Sequence, residues 1–545
     1  MAEQELKLHV PRGARPGIER ELLRLPVTRV RLRASYFDTP SRALALAGVA
    51  LRLRLEGRKW IQTLKMRGEH ALARIELNHA RPNASLDLGA YAGTPAEAIL
   101  ASLKEPLGVC YESDVRRVLR VVRTRHGAVE IAYDTGCLRA GALELPISEI
   151  EFELLSGRLA AVFSLGRRWQ KVHGLVVDAR SKSERGDQLA LLDQKLTAAA
   201  GDNEAAAMAR AALVAGFWAH SGSAPVALAS GLTPAQALRA VTFECLEQIV
   251  RNSAVLTEID TAGVCRAATS EHVHQLRVGV RRLRSAWSLF DGITDLPPDE
   301  LRQEIRRHFA MLGGTRDDDV LRETLLPVLT KAGLPPLEFG SNAHEGDDGA
   351  QVAASREFQG WILDVMAWSL DAQPVVSHRP MIIAAPVPAA PAASASDSAA
   401  SVQESPALLA PSSPPPPALR QTLRDRLHRW HRRILREGLR FSELSEEARH
   451  DLRKRVKRLR YGLQFAEALL PSARLKLYRK KLAVVQDILG EMNDLAVGFA
   501  RFEQMREAQP SAWFACGWIR SRLETLTHKA AEAFQDLSKA KHFWH

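Results

Sequence analysis

Glu3, Glu5 and Lys7 alternate with Gln4, Leu6 and Leu8 in the run EQELKL. On a strand, successive side chains point to opposite faces. Two carboxylates and an ammonium therefore share one face, and the leucines take the other. Paired carboxylates are hard oxygen ligands of the kind Mg²⁺ or Mn²⁺ takes. A lysine beside them is a point charge for a phosphate oxygen. The same division recurs at Arg52 and Arg54 in LRLRL, at Thr63 and Lys65 in IQTLK, at Arg74 and Glu76 in ARIEL, and at Glu149, Glu151 and Glu153 in SEIEFEL. A solvated edge strand would account for any one of these. Together, with both signs of charge, they suggest a closed barrel with a polar lumen. A lumen of mixed charge suits a metal–polyphosphate complex, in which cations hold phosphate oxygens and carboxylates hold the metal.

Further motifs stand in the same stretch: YFDT at Tyr36 to Thr39, EIAYDTG from Glu130, EIEFELLSG from Glu149 and SKSERG from Ser181. With the E-x-E-x-K strand, LRLR, TLK and R-x-E, residues 1–195 resemble the CYTH, or triphosphate-tunnel, family. The resemblance implies an eight-stranded antiparallel tunnel. Members of that family include inorganic, thiamine and RNA triphosphatases and one class of adenylate cyclase. It further implies Mg²⁺ or Mn²⁺ held by Glu3, Glu5, Asp134, Glu149, Glu151 and Glu153. Phosphate ligands would be Lys7, Arg52, Arg54, Lys65, Arg74, Arg117 and Lys182. Glu3, Glu5, Lys7, Lys65 and Glu76 form the expected catalytic set. Asp134 also reads as a turn aspartate, Glu149 as a tunnel-mouth residue, Arg117 as a surface residue, and Arg74 with Glu76 as a pair across the lumen.

The chain has 545 residues and a formal net charge of +12, so it should attract polyanions. Five scattered cysteines lack metal-ligand spacing and read as buried thiols of a reducing compartment. No apolar run is long enough to span a bilayer. The strand at Glu3 leaves no room for a leader peptide, so the expectation is a cytoplasmic protein without membrane contact.

Beyond residue 230 the apolar period changes from two to that of a helix. Thr233, Pro234 and Gln236 form a helix start. HQLRVGVRRLR at 274–284 then repeats as HDLRKRVKRLR at 450–460, and LGGTRDDDV at 312–320 as LGEMNDLAV at 489–497. Two copies of one helical unit are the simplest account. His274, Arg277, Arg281 and Arg284 share a helix face, as do His450, Arg453, Lys457 and Arg460. Leu276, Val280 and Leu283 lie on another face, matched by Leu452, Val456 and Leu459. A solvated face would mix acids with bases. This stripe repels itself, which points to a polyanion.

These motifs resemble the CHAD domain, a helical domain of two pseudo-symmetric bundles whose members bind inorganic polyphosphate and often follow a CYTH domain. The expected fold is thus α+β in two domains: a tunnel at 1–195, a linker at 196–232 and a helical domain at 233–545. Its repeats fall at about 233–375 and 419–545, split by an Ala/Pro/Ser-rich insertion at 384–418 that reads as disordered. The stretch 341–349 reads as a loop, and Ala205 to Trp218 as a short helix. The expected function is hydrolysis of inorganic triphosphate in the tunnel, with long-chain polyphosphate held by the eight stripe residues. Association with polyphosphate granules would follow. A non-catalytic polyphosphate binder, a thiamine triphosphatase and an adenylate cyclase are the alternatives. Nucleic acid is disfavoured, because the stripe lacks interleaved aromatics for base stacking.

Overall fold

The computed structural model describes residues 2–67, 73–199, 201, 203–257, 269–312, 321–337, 348–371 and 418–540. Nine strands form one antiparallel sheet: β1 (Ala2–His9), β2 (Thr28–Asp38), β3 (Val49–Glu56), β4 (Lys59–Arg67), β5 (Ala73–Arg81), β6 (Gly108–Thr124), β7 (Gly127–Ala140), β8 (Leu143–Gly157) and β9 (Val176–Val177). Their order is β5-β4-β3-β2-β6-β7-β8-β1-β9, and β1 also pairs with β5. Eight strands therefore close into the expected tunnel, and the two-residue β9 is an addition beside β1. Strand β1 makes the closure by splitting its partners. Its Ala2–Gln4 backbone meets β5, and Glu5–His9 meets β8. That register sets Glu5 opposite Glu153 and Lys7 opposite Glu151, so the two acidic strands are neighbours.

The alternation places charge inward and apolar side chains outward, so the core lies outside the barrel. Leu6, Leu8, Ile131, Ile150 and Phe152 are buried there with Val162 and Trp169. The last two come from α1 (Ala160–His173), which packs across β1, β7 and β8. Each such side chain contributes about 1.5–3 kcal/mol on full burial, which offsets the cost of a charged lumen.

A second helix, α2 (Lys182–Ala198), crosses β6, β7 and β8. The helical half contains α3 (Pro234–Leu256), α4 (Ser270–Phe290), α5 (Asp299–Met311), α6 (Arg356–Asp371), α7 (Leu419–Gly438), α8 (Glu446–Phe465), α9 (Ser472–Met505) and α10 (Ala512–Ser538). Thr233 starts α3 with the expected capping box and Pro at the first turn. Leu276, Val280 and Leu283 on α4, and Leu452, Val456 and Leu459 on α8, are fully buried. The two stripe helices α4 and α8 pack on one another.

Local detail adds to the sequence pattern. LGEMNDLAV lies inside the continuous helix α9, while the corresponding 313–320 falls outside the described residues. The stretch 341–349 ends in a helix, Asp348–Ala354, and its remainder is likewise outside. The short helix spans Glu204–Phe217, capped by Asn203. The insertion 384–418 falls outside the described residues except Ala418, the N-cap of α7.

The stretch read as a linker, 196–232, packs against both halves. Trp218 is buried under Arg180, 5.2 Å from ring centroid to guanidinium, and the Asn252 amide donates to the Ser221 carbonyl at 2.9 Å. One apolar cluster runs from Leu6 and Trp169 into α3, α4 and α6. Polar contacts reinforce it: Arg167 pairs with Asp364 at 3.1 Å, and the Val177 amide donates to Gln359 at 2.8 Å.

Candidate active site

The barrel encloses a cavity of about 520 Å³. Glu3, Glu5, Lys7, Arg52, Arg54, Lys65, Glu76, Arg117, Asp134, Glu151, Glu153 and Lys182 all line it. Glu149 does not; it sits behind the wall, 2% exposed. Arg74 pairs with Glu3 through the backbone, and its side chain lies outside the described residues.

Charges divide the cavity into two zones. In the first, carboxylates and cations match. Arg117 grips Asp134 with both arms at 2.6 and 2.7 Å and reaches Glu151 at 2.6 Å. The Lys182 ammonium lies 2.7 Å from Asp134, 2.7 Å from Glu151 and against Glu149. Arg185 holds the other oxygen of Glu149 at 2.8 Å. Burial alone would raise Glu149 and Glu151. Lys182, with Arg185 on Glu149 and Arg117 on Glu151, outweighs it and holds both below the usual carboxylate range. Ligand oxygens of Asp134, Glu149 and Glu151 come within 4.8 Å of one another, close enough to share an ion. A tethered ammonium already serves all three.

In the second zone carboxylates outnumber their partners. Glu5, Glu130 and Glu153 have no ion pair among the described residues. Burial pushes Glu5 up, and the Glu151 carboxylate adds to it. Burial also raises Glu153, helped by Glu130 and Glu5. Glu3 rises to about 7, through burial and a hydrogen bond with Glu76, despite Lys65 at 3.4 Å. Glu76 falls to about 2, because Lys65 and Arg52 outweigh its burial. It pairs with both of these cations. Partly buried acids without an ion pair are a donor set a divalent ion would complete. The Lys7 Nζ is the converse: buried, with no hydrogen-bond partner among the described residues. An orphaned ammonium in a closed cavity is the mark of an anion site.

Four residues of the site were not among the expected site residues. Glu130 joins the acidic zone, and its alternation with Ala132 and Asp134 in EIAYD was the available signal. Arg185 was visible only as part of SKSERG. Tyr36 and Tyr111 line the cavity as a stacked pair, 4.4 Å between centroids. They seat the first turn of α2: the Tyr111 hydroxyl donates to the Ser183 carbonyl at 3.0 Å, and Gly186 lies flat on the Tyr111 ring. A Cβ at 186 would stand 2.2 Å from that ring. Gly186→Ala should therefore cost about 1–3 kcal/mol in thermal or urea unfolding.

The repeated stripe gathers cations from two helices. Arg281 on α4 faces Arg453 and Lys457 on α8, and Arg460 adds to the crowding. Burial lowers the Lys457 ammonium to about 7, helped by Arg453 and Arg281. Asp494 of α9, within LGEMNDLAV, is an acid that faces Arg453 and Lys457. Arg277 and Arg284 lie over the Phe309 ring, at 5.2 and 5.5 Å. Arg277 also donates to the Leu312 carbonyl at the end of α5. His274 is partly buried, and His450 is exposed beside Asn493.

Among the described residues no helix is long and apolar enough to cross a membrane. A family model described as CYTH domain matches residues 1–186, and one described as CHAD domain matches residues 244–503. An inorganic triphosphatase of Haemophilus influenzae is 30% identical over 164 residues, which cover 28% of this chain and 44% of the relative. The chain thus spans less than half the length of that curated relative. The crystal structure of the CHAD domain of the plant Ricinus communis is 24% identical and covers 59% of this chain and 98% of its own, with a TM-score of 0.43. A proposed adenylyl cyclase from Hippeastrum, described as having a dominant triphosphatase activity, is 19% identical and covers 33% of this chain and 92% of its own, with a TM-score of 0.24.

Proposed function

From the premise that the chain carries a CYTH domain followed by a CHAD domain, we propose that the tunnel hydrolyses inorganic triphosphate to pyrophosphate and phosphate with Mg²⁺ or Mn²⁺, and that the helical domain holds long-chain polyphosphate. One observation carries the tunnel reading: the cavity holds a buried Lys7 Nζ with no hydrogen-bond partner among the described residues, together with the partly buried Glu5, Glu130 and Glu153, which have no ion pair among them. Neither a pure anion site nor a pure metal site explains both. A metal–triphosphate complex satisfies each at once.

Glu3, Glu5, Glu130 and Glu153 would hold the metal, which would neutralise phosphate charge and make water a better nucleophile. Lys7, Arg52, Arg54 and Lys65 would bind phosphate oxygens and hold the chain of phosphates in line. Lys182 and Arg117 face the same cavity from the matched zone, where Asp134 and Glu151 keep their cations fixed. Asp134 and Glu149, expected as metal ligands, are in this reading structural anchors for Lys182, Arg117 and Arg185. No Ser, Cys or His nucleophile is required.

Phosphate release from tripolyphosphate, ATP and thiamine triphosphate tests the reading. Tripolyphosphate should be the best substrate, and chelation should reduce its turnover to background. Turnover at the full rate in chelator would refute the metal assignment; turnover of ATP alone would refute the substrate.

A further inference from the structure

One residue of the tunnel wall is held from outside its own domain. Glu184 lies one turn into α2, beside Lys182, and lines the cavity. It is an acid in the wall of a site that we read as binding a polyanion. Its backbone amide donates to the Ser181 hydroxyl at 3.1 Å, which fixes the first turn of the helix. Its carboxylate is taken by a residue from the other half of the molecule. Arg251 of α3 donates to Glu184 at 2.6 Å and to Glu247 of its own helix at 3.0 Å. Both members of the cross-domain pair are partly buried, at 21% and 30% exposed side chain.

Resting on the function proposed above, we infer that Arg251 is a positioning and neutralising residue for the tunnel: the helical domain cancels the Glu184 charge and so permits a polyanion beside Lys182. Without Arg251 the Glu184 carboxylate is left bare at the cavity wall. It would then repel incoming phosphate and compete for the Lys182 ammonium, which already serves Asp134, Glu149 and Glu151. The first turns of α2 are tied down by Tyr111 on Ser183, Arg42 on Asp187, Lys182 and Arg185 on the acids of β7 and β8, and Arg251 on Glu184. Of these, the last comes from the helical domain. The charge of one wall residue is therefore met from the helical half.

The test uses the full chain and reads both turnover and metal-free binding of tripolyphosphate by calorimetry, with Lys182→Met as the floor. Arg251→Met should raise KM and Kd about tenfold while kcat falls less than about twofold, as expected for lost ground-state binding. Adding Glu184→Gln to Arg251→Met should restore KM and Kd to within about twofold of the parent, because the bare carboxylate is then gone. A purely structural role for Arg251 predicts the reverse, no rescue and a lower melting temperature. Unchanged affinity in Arg251→Met, or failure of the second substitution to rescue it, overturns the inference. A parent that binds tripolyphosphate without hydrolysing it overturns the catalytic reading alone, since the binding arm still measures Arg251. A parent that neither binds nor hydrolyses overturns both.

Discussion

Glu5→Gln should lower the tripolyphosphate turnover number about 100-fold or more while leaving the protein at least as stable as the parent. The two halves of that expectation have separate causes. Glu5 stands in the zone where acids lack cations, so its loss removes a metal ligand and no ion pair among the described residues. Burial and Glu151 raise it above its ordinary value. A raised carboxylate binds its proton more tightly in the folded state than in the unfolded one. Stability therefore falls as pH climbs from the unfolded value to the folded one, and a neutral Gln escapes that loss. Glu149→Gln is the contrasting substitution. It would leave Lys182 and Arg185 short of a buried partner and should cost about 3–5 kcal/mol. Calorimetric titration with Mn²⁺ and thermal unfolding of both variants separate the roles. Parent turnover in Glu5→Gln, or a fully stable Glu149→Gln, would show that the two zones have been assigned the wrong way round.

That division marks where the sequence stopped being legible. Alternation is a property of single strands, so E-x-E-x-K, LRLR and EIEFEL each declared their inward face. Closure followed from the count of such strands. Which acid meets which cation depends on register across strands far apart in the chain. Glu5 faces Glu153, and Lys7 faces Glu151. Asp134 meets Arg117 on β6 and, from beyond the barrel, Lys182. No spacing rule carries that information. Glu149, Glu151 and Glu153 look equivalent in SEIEFEL, yet one is locked behind the wall, one is saturated and one is bare. The cross-domain pair was hidden for the same reason: Arg251 and Glu184 lie 67 residues apart in two different kinds of fold.

The helical half was readable in its period and its repeat but not in its pairing. The repeat put a basic face on each stripe helix and left their relative placement open. Packing α4 on α8 brings Arg281 near Arg453 and Lys457 in one groove. The repeat is thus a means of doubling charge density at one place. It also limits which residues can be altered safely. Arg277 caps the end of α5 through the Leu312 carbonyl, so reversing its charge would injure the fold as well as the groove.

Arg453→Met with Lys457→Met is the cleaner experiment, and it should weaken long-chain polyphosphate binding about 100-fold while making the protein more stable. The groove concentrates like charge at a cost. Lys457, lowered to about 7, is half neutral near physiological pH. Its unfolded counterpart stays protonated to a much higher pH, so between pH 7 and about 10 the unfolded state carries the extra proton. Parent stability should therefore rise with pH across that window. Lys457→Met should remove this slope and add on the order of 1–2 kcal/mol at pH 7, after allowance for solvent screening. Polyphosphate reverses the balance, because a bound anion returns Lys457 to its charged form. Binding should take up a proton, and affinity should fall as pH rises from 7 to 10 and fall steeply with salt. Thermal unfolding and titration of long-chain polyphosphate at several pH values read both effects on one pair of proteins. A double variant that is less stable than the parent, or that binds long-chain polyphosphate as tightly, would mean that the groove is held together for packing. A variant that gains stability as it loses the polyanion identifies the groove as strained in favour of its ligand.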